Sequence, residues 1–200
     1  MEIALILKSP ELNETVTQST VIYADAGYLH APKVGQKEVL AVIGDFDSLG
    51  CAPKGENIVN LSPEKDFTDG ERALRYAVEK GYNDVTIYGA YGGKIEHVLG
   101  NIALLNIAKN LGAKARIKEG ERITELIDGK VKIMPKNNST VSILPYGGSC
   151  SFVKSIGLYY PLDNLTLTPY DTRGISNVAL QEEIAIEFRS GKALIVYEQK

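Results

Sequence analysis

The stretch Val39–Ser48, V-L-A-V-I-G-D-F-D-S, constrains the fold more than any other part of the chain. Val39–Ile43 is an unbroken apolar run, the pattern of a strand buried on both faces of a parallel sheet. Gly44 ends it, and two carboxylates follow with one residue between them. Along an extended backbone alternate side chains share a face, so Asp45 and Asp47 aim at one point while Phe46 turns into the core. Two adjacent carboxylates repel unless a proton or cation lies between them. Mg²⁺, held by carboxylates and substrate phosphates, suits such a pair best. A surface turn also uses Asp and Ser, so the pair by itself leaves both readings open.

The rest of the first half repeats the design. Ile3–Leu7, Val21–Ala24, Asn57–Leu61, Val85–Tyr88 and Ala115–Lys118 read as further strands. Thr68 and Glu71 form a capping box for a helix running to about Lys80, with Ala73, Leu74, Ala77 and Val78 as its apolar stripe and Gly81 as its stop. A longer helix ends near Leu111-Gly112. Its residues Ile95, Val98, Leu99, Ile102 and Leu105 are spaced as one buried face. Alternation of this kind predicts an α/β unit: a Rossmann-like, mostly parallel sheet with helices on both faces.

After about residue 120 the helical period disappears. Short alternating stretches follow at Thr140–Leu144, Ser151–Ile156, Leu165–Thr168, Ile184–Phe188 and Ala193–Tyr197. Turn residues separate them, Ser190-Gly191 among them, which predicts an antiparallel β-sandwich or small barrel. The expected domains are residues 1–125 and 126–200.

Composition narrows the partners. Net charge is −3 with scattered basic residues, so no nucleic-acid footprint shows. No apolar run approaches the ~20 residues of a membrane span, and the acidic M-E-I start does not suit a signal peptide. Cys51 and Cys150 stand far apart, and two free thiols in a cytoplasmic protein are expected. His30 and His97 lack partners at metal-ligand spacing.

In an open parallel sheet, ligands bind at the carboxyl ends of the strands. Asp25, the Asp45/Asp47 pair, Lys65-Asp66, Thr68-Asp69 and Gly92-Gly93-Lys94 all fall there. Gly92-Gly93 before a helix either makes a tight turn or brings backbone N–H groups to a phosphate. No Walker A sequence and no G-x-G-x-x-G occurs.

These residues also carry a resemblance. G-D-F-D-S at 44–48, K-D-F-T-D at 65–69 and G-G-K-I-E-H at 92–97, in this order, resemble the thiamine pyrophosphokinase family. S-I-L-P at 142–145, G-L-Y-Y-P-L-D-N at 157–164 and G-I-S-N at 174–177 resemble its thiamine-binding β domain. The resemblance implies Mg²⁺-dependent transfer of a pyrophosphoryl group from ATP to thiamine by a homodimer with thiamine at the subunit interface. It implies an ATP and Mg²⁺ domain followed by a thiamine domain. By the same resemblance Asp45, Asp47 and Asp69 are the Mg²⁺ ligands and join Lys65 in catalysis. Asp25, Asp66, Thr68, Lys94, Glu96 and His97 belong to the nucleotide site, and Ser176 and Asn177 line the thiamine pocket.

Two departures stand out. The family usually reads G-G-R-x-D-H where this chain has Lys94 and Glu96, and D-G-G where it has Asp25-Ala26-Gly27. Tryptophan, which stacks on thiamine in some members, is absent, and the sequence does not single out its replacement. Nor does it say which carboxylate would take the alcohol proton. Two rival readings are a D-x-D metal-dependent nucleotide-sugar transferase and a non-catalytic binder of thiamine or nucleotide.

Overall fold

A computed structural model describes residues 1–50, 53 and 57–199; Cys51 lies outside them. The chain forms a mixed α/β fold of two compact units, Met1–Gly120 and Glu121–Lys200.

The first unit contains, in chain order, β1 (Glu2–Ile6), β2 (Thr20–Ala24), a 3-10 helix (Asp25–His30), α1 (Ala31–Val34), β3 (Glu38–Gly44), a short 3-10 turn (Asp47–Leu49), β4 (Ile58–Asn60), α2 (Asp69–Glu79), β5 (Asp84–Tyr88), α3 (Ile95–Asn110) and β6 (Lys114–Glu119). The strands pair in the order β4-β3-β2-β1-β5-β6, every neighbour parallel. All six therefore end at the same edge.

The apolar runs become the strands because the sheet is covered on both sides. Ile3, Leu5, Ile22, Ile43 and Ile87 are fully buried, as are Ala73, Leu74 and Ala77 of α2. A second cluster joins Ala4, Ile6, Val21, Tyr23, Val42 and Tyr88 with Leu12, Val16, Val34 and Phe46. Its one polar insertion is satisfied: the Gln18 carboxamide donates to Thr86 Oγ1 at 3.1 Å and accepts from Tyr88 Oη at 3.0 Å.

Helix α3 departs from its expected face. Leu104, Leu105 and Ala108 are its buried residues, whereas Ile95 is 68% exposed and Leu99 61%. Length explains this. Sixteen residues of helix run about 24 Å, more than the roughly 17–20 Å of a five- or six-residue strand. The last turns of α3 carry its buried residues and the first are exposed, as a helix longer than the strands allows. The α2 capping box is half made: Thr68 Oγ1 accepts from Glu71 N at 3.1 Å, while the Glu71 carboxylate pairs with Arg75.

The second unit contains β7 (Arg122–Ile133), β8 (Thr140–Pro145), β9 (Cys150–Ile156), β10 (Thr166–Leu167), β11 (Asn177–Val178) and β12 (Ile184–Glu198). Its pairings are antiparallel. The two strands expected around Ser190-Gly191 are one strand. β12 runs through a bulge between Glu187 and Lys192 and pairs with β7 on both sides of it. Its first half pairs with β9 and its second with β8. Gly191, at φ 78°, provides the bend. The matching irregularity at Gly129, φ 65°, breaks the alternation of β7, which is why periodicity alone does not reveal that strand. Phe152 and Phe188, with ring centroids 4.8 Å apart, pack within the core. Cys150 is a free thiol there, its pKa pushed up to about 11 by burial.

One close approach gives a sharp test. A methyl on Gly174 would stand on the carbonyl oxygen of Ile143, whose N–H donates to Gly174 O at 2.8 Å. Gly174→Ala should cost about 3 kcal/mol or more, the upper range for forced overpacking, read as a lowered urea midpoint of the purified chain. An unchanged midpoint would show that this contact relaxes without cost.

Candidate active site

The exits of β2 and β3 are neighbours, and this brings Asp25 to the Asp45/Asp47 pair. β3 ends at Gly44, where a Cβ would come 2.9 Å from Asp25 Cα. Only glycine allows the two exits to close this far. Asp25 opens the 3-10 helix at φ 44°, and Phe46 adopts a left-handed conformation at φ 60°. Each such outlier costs of order 1–3 kcal/mol and is held by its surroundings.

The pair converges by a different route from an extended strand. The left-handed turn at Phe46 buries its ring, and Asp47 N donates to Asp45 Oδ1 at 3.3 Å. Carboxylate oxygens of Asp25, Asp45 and Asp47 all come within 4.8 Å of one another. Ligands on opposite sides of Mg²⁺ are about 4.2 Å apart, and those on Ca²⁺ up to about 5 Å. The group therefore fits a divalent cation after, at most, a small inward movement.

Lys65 is the cation that the chain itself supplies. Its Nζ lies 2.6 Å from Asp45 Oδ2 and 3.1 Å from Asp69 Oδ1, with only 11% of the lysine side chain exposed. Four carboxylates thus gather at this edge, two of them on the one ammonium. Asp25 Oδ1 and Asp69 Oδ1 are buried without a well-formed hydrogen bond among the described residues. For Asp69 the ammonium contact is an ion pair by distance that lacks hydrogen-bond alignment. Uncompensated buried charge is costly, and the surplus here calls for a further cation.

The pKa directions follow. The hydrogen bond from Lys65 holds Asp45 below the ordinary carboxylate value, against burial. For Lys65 burial opposes the ammonium, but Asp45 and Asp69 together outweigh it and raise its pKa. Burial raises Asp69, and Lys65 only partly restrains the rise.

The remaining expected residues separate into groups. Asp66 and Thr68 are exposed, and Thr68 caps α2. Lys94, Glu96 and His97 lie exposed at the start of α3. In the loop before it, Gly92 at φ 90° sits where a Cβ would come 2.9 Å from Pro10 Cδ, whereas nothing lies near Gly93. Gly92 thus serves close packing, and Gly93 stands open to solvent. Ala26 is buried and accommodated, while a Cβ on Gly27 would strike Ile6 O. In D-A-G it is the last residue that must be glycine.

In the second unit Ser176 is exposed at φ 61°, its N–H donating to Ser142 Oγ at 3.1 Å. Asn177 is buried and wholly engaged. Its Nδ2 donates to Tyr160 O at 2.7 Å, and its Oδ1 accepts from Tyr160 N at 2.9 Å and Val178 N at 2.8 Å. It pins Tyr160, which is exposed and lies edge-on to exposed Tyr159 with centroids 4.7 Å apart. Sequence reasoning missed this aromatic pair, although Y-Y within G-L-Y-Y-P was its signal.

An α/β unit with a cation-seeking acidic group at the ends of parallel strands, followed by an antiparallel β unit, defines the class. Residues 13–117 match the sequence profile described as thiamin pyrophosphokinase, catalytic domain, and residues 130–193 match the vitamin B1 binding domain of the same family. The chain belongs to the thiamin pyrophosphokinase family. It is 28% identical over 190 residues to the thiamine pyrophosphokinase of Bacillus subtilis (strain 168), covering 90% of this chain and 84% of that one. The crystal structure of thiamine pyrophosphokinase from Bacillus subtilis superposes with a TM-score of 0.86 at 26% identity, covering 100% of both chains. A thiamin pyrophosphokinase family protein from Enterococcus faecalis shares the fold, with a TM-score of 0.83 at 23% identity over 100% of both chains.

The ion-pair geometry predicts a pH signature. Asp45, with a depressed pKa, contributes stability above its unfolded value of about 4 that is lost as pH falls through the folded value. Asp69, with a raised pKa, works oppositely: its contribution is present below about 4 and lost as pH rises through the folded value. Lys65→Met removes the first and enlarges the second. Thermal melts in chelator should show the variant about 3 kcal/mol less stable at pH 7, the scale of an uncompensated buried charge. The deficit should shrink toward pH 4. A deficit constant with pH would refute this account.

Proposed function

We propose that this chain catalyses transfer of a pyrophosphoryl group from ATP to the hydroxyl of thiamine, giving thiamine diphosphate and AMP. The convergence of Asp25, Asp45 and Asp47 beside Lys65 carries the reading, in a chain that matches both domains of one family. We assign ATP and Mg²⁺ to residues 1–125, a Rossmann-like unit with helices on both faces, and thiamine to residues 126–200, a β-sandwich or barrel. The working form is a cytoplasmic homodimer. Among the described residues no helix is long and apolar enough to cross a membrane.

The close group supports Asp25, Asp45 and Asp47 as the residues that hold Mg²⁺, with Asp69 held beside them by its ion pair to Lys65. Bound there, the ion would neutralise phosphate charge in the transition state. Lys65 and, from the start of α3, Lys94 add positive charge to the phosphate chain. Asp66, Thr68, Glu96 and His97 complete the nucleotide site.

Asp69 is outside the close group, and its burial favours the protonated form, which suits a general base. The thiamine oxygen bonds to the β-phosphorus as the bond from that phosphorus to the bridging oxygen breaks. AMP leaves with the electron pair, and Asp69 takes the alcohol proton. In the second unit Asn177 fixes the Tyr159–Tyr160 pair, which offers ring faces to the cationic thiazolium in place of a tryptophan. Ser176 lies at the same edge.

Incubation with ATP, Mg²⁺ and thiamine should yield AMP and thiamine diphosphate by mass spectrometry. Thiamine binding without turnover would instead indicate a non-catalytic relative, and turnover of a nucleotide-sugar a transferase of another class. Asp45→Asn and Asp47→Asn should each lose at least ~100-fold in turnover, since metal stabilisation of phosphoryl charge is worth several kcal/mol. Both variants should stay folded, because these residues lie in a loop at the sheet edge. Turnover near that of the native chain would remove both carboxylates from the site.

A further inference from the structure

Asp25 sits strained at φ 44° with a buried oxygen that has no hydrogen-bond partner among the described residues. No side chain caps the 3-10 helix that it opens. Something beyond the residue must hold it against Asp45 and Asp47. Gly44 and Gly27 allow the close fit, and Tyr28 meets Tyr23 edge-on at 5.5 Å. These contacts are apolar or steric and fix no direction.

The directional tie is at the other end of the same helix. His30 Nε2 lies 3.2 Å from Ser9 O and 3.4 Å from Ser9 Oγ. A carbonyl oxygen can only accept, so this nitrogen carries the hydrogen and donates. Ser9 Oγ gives its own proton to Glu11 O at 2.7 Å. Ser9 is buried and belongs to the stretch leaving β1. That stretch also backs the glycine-rich loop before α3, with Leu7 O against Gly89 and Pro10 against Gly92. One imidazole therefore joins the arm carrying Asp25 to the strand exit that supports the loop before α3.

We propose that His30 is a positioning residue: it acts through Asp25 and sets how tightly the Asp25, Asp45 and Asp47 group takes a divalent cation. This rests on reading that group as the Mg²⁺ site. In this role His30 need touch neither cation nor substrate, because its ring nitrogen is engaged with Ser9. Its imidazole anchors the helix so that Asp25 keeps its strained backbone when cation and phosphates load the site.

Mn²⁺, followed by loss of its free paramagnetic signal, tests this on the whole chain without substrates. His30→Ala should weaken Mn²⁺ binding roughly tenfold, the lower end for loss of a group supporting a metal ligand. His30→Gln places an amide N–H at the same reach and should restore most of the affinity. His30→Asn, one bond too short, should bind as weakly as the alanine variant and replaces it should that protein unfold. In turnover, the Mg²⁺ concentration for half-maximal rate should rise while the rate at saturating Mg²⁺ stays close to native. Unchanged Mn²⁺ affinity in the alanine and asparagine variants overturns the proposal. So does an equal loss in the glutamine variant. A native chain that binds Mn²⁺ but makes no thiamine diphosphate overturns the functional reading and leaves the role of His30 standing.

Discussion

Four carboxylates crowded beside a single ammonium that pairs with two of them set the terms for the first unit. Asp25, Asp45, Asp47 and Asp69 meet at one sheet edge, and Lys65 answers for two of them at most. A group this acidic is unfavourable for a chain alone and favourable once a divalent cation enters. Local structure is bent to build it. Two non-glycine residues take positive φ there, and Gly27 and Gly44 give up side chains to let neighbouring strand exits close. Strain at a site of this kind is stored by rigid surroundings, and the doubly covered parallel sheet supplies them.

Topology decides which residues can meet. The chain lays β2, β3 and β4 to one side of β1 and β5 and β6 to the other. The strand order therefore reverses beside β1, and at such a reversal the exits separate into a crevice that takes ligands. The exits of β2 and β3 bring in the acids, and the segment after β4 brings in Lys65. The exit of β5 brings in the glycines that pack on Leu7 and Pro10. His30 fastens one side of this arrangement to the other through Ser9. The arm carrying Asp25 and the loop before α3 are therefore not independent attachments.

Much of this was legible because parallel strands leave strong local signals. An apolar run stopped by glycine and followed by acids marks a strand and its exit together. What escaped depends on tertiary arrangement. The sequence places Asp25 at the same sheet edge as Asp45 and Asp47, but that its oxygens, and not those of Asp69, close on theirs follows from β2 lying beside β3, and no local pattern states strand order. The buried face of α3 was misread because helical spacing shows which residues share a side, not how far the sheet beneath extends. β7 and the unbroken β12 were hidden by bulges near Gly129 and Gly191, which reverse the alternation midway. Only the family resemblance singled out Asn177, as a residue lining the thiamine pocket. Its three hydrogen bonds make it the support of Tyr160.

The two departures from the family pattern differ in kind, and burial separates them. Ala26 replaces a glycine inside a packed arm, and its methyl is buried without displacing Asp25 from the acidic group. Gly27, one residue on, could not change in the same way, because a methyl there would meet Ile6 O. Lys94, which precedes α3, and Glu96, in its first turn, lie instead with their side chains in solvent. A lysine at this point keeps the charge of an arginine and loses the two-pronged grip. The added methylene of Glu96 extends the reach of an acid two residues on. Side chains free of packing can change reach without disturbing the core, so the charges at Lys94 and Glu96 are kept where geometry is loosest. The packed arm admits a methyl only at Ala26, where space already exists, whereas Lys94 and Glu96 stand where no packing restricts their reach.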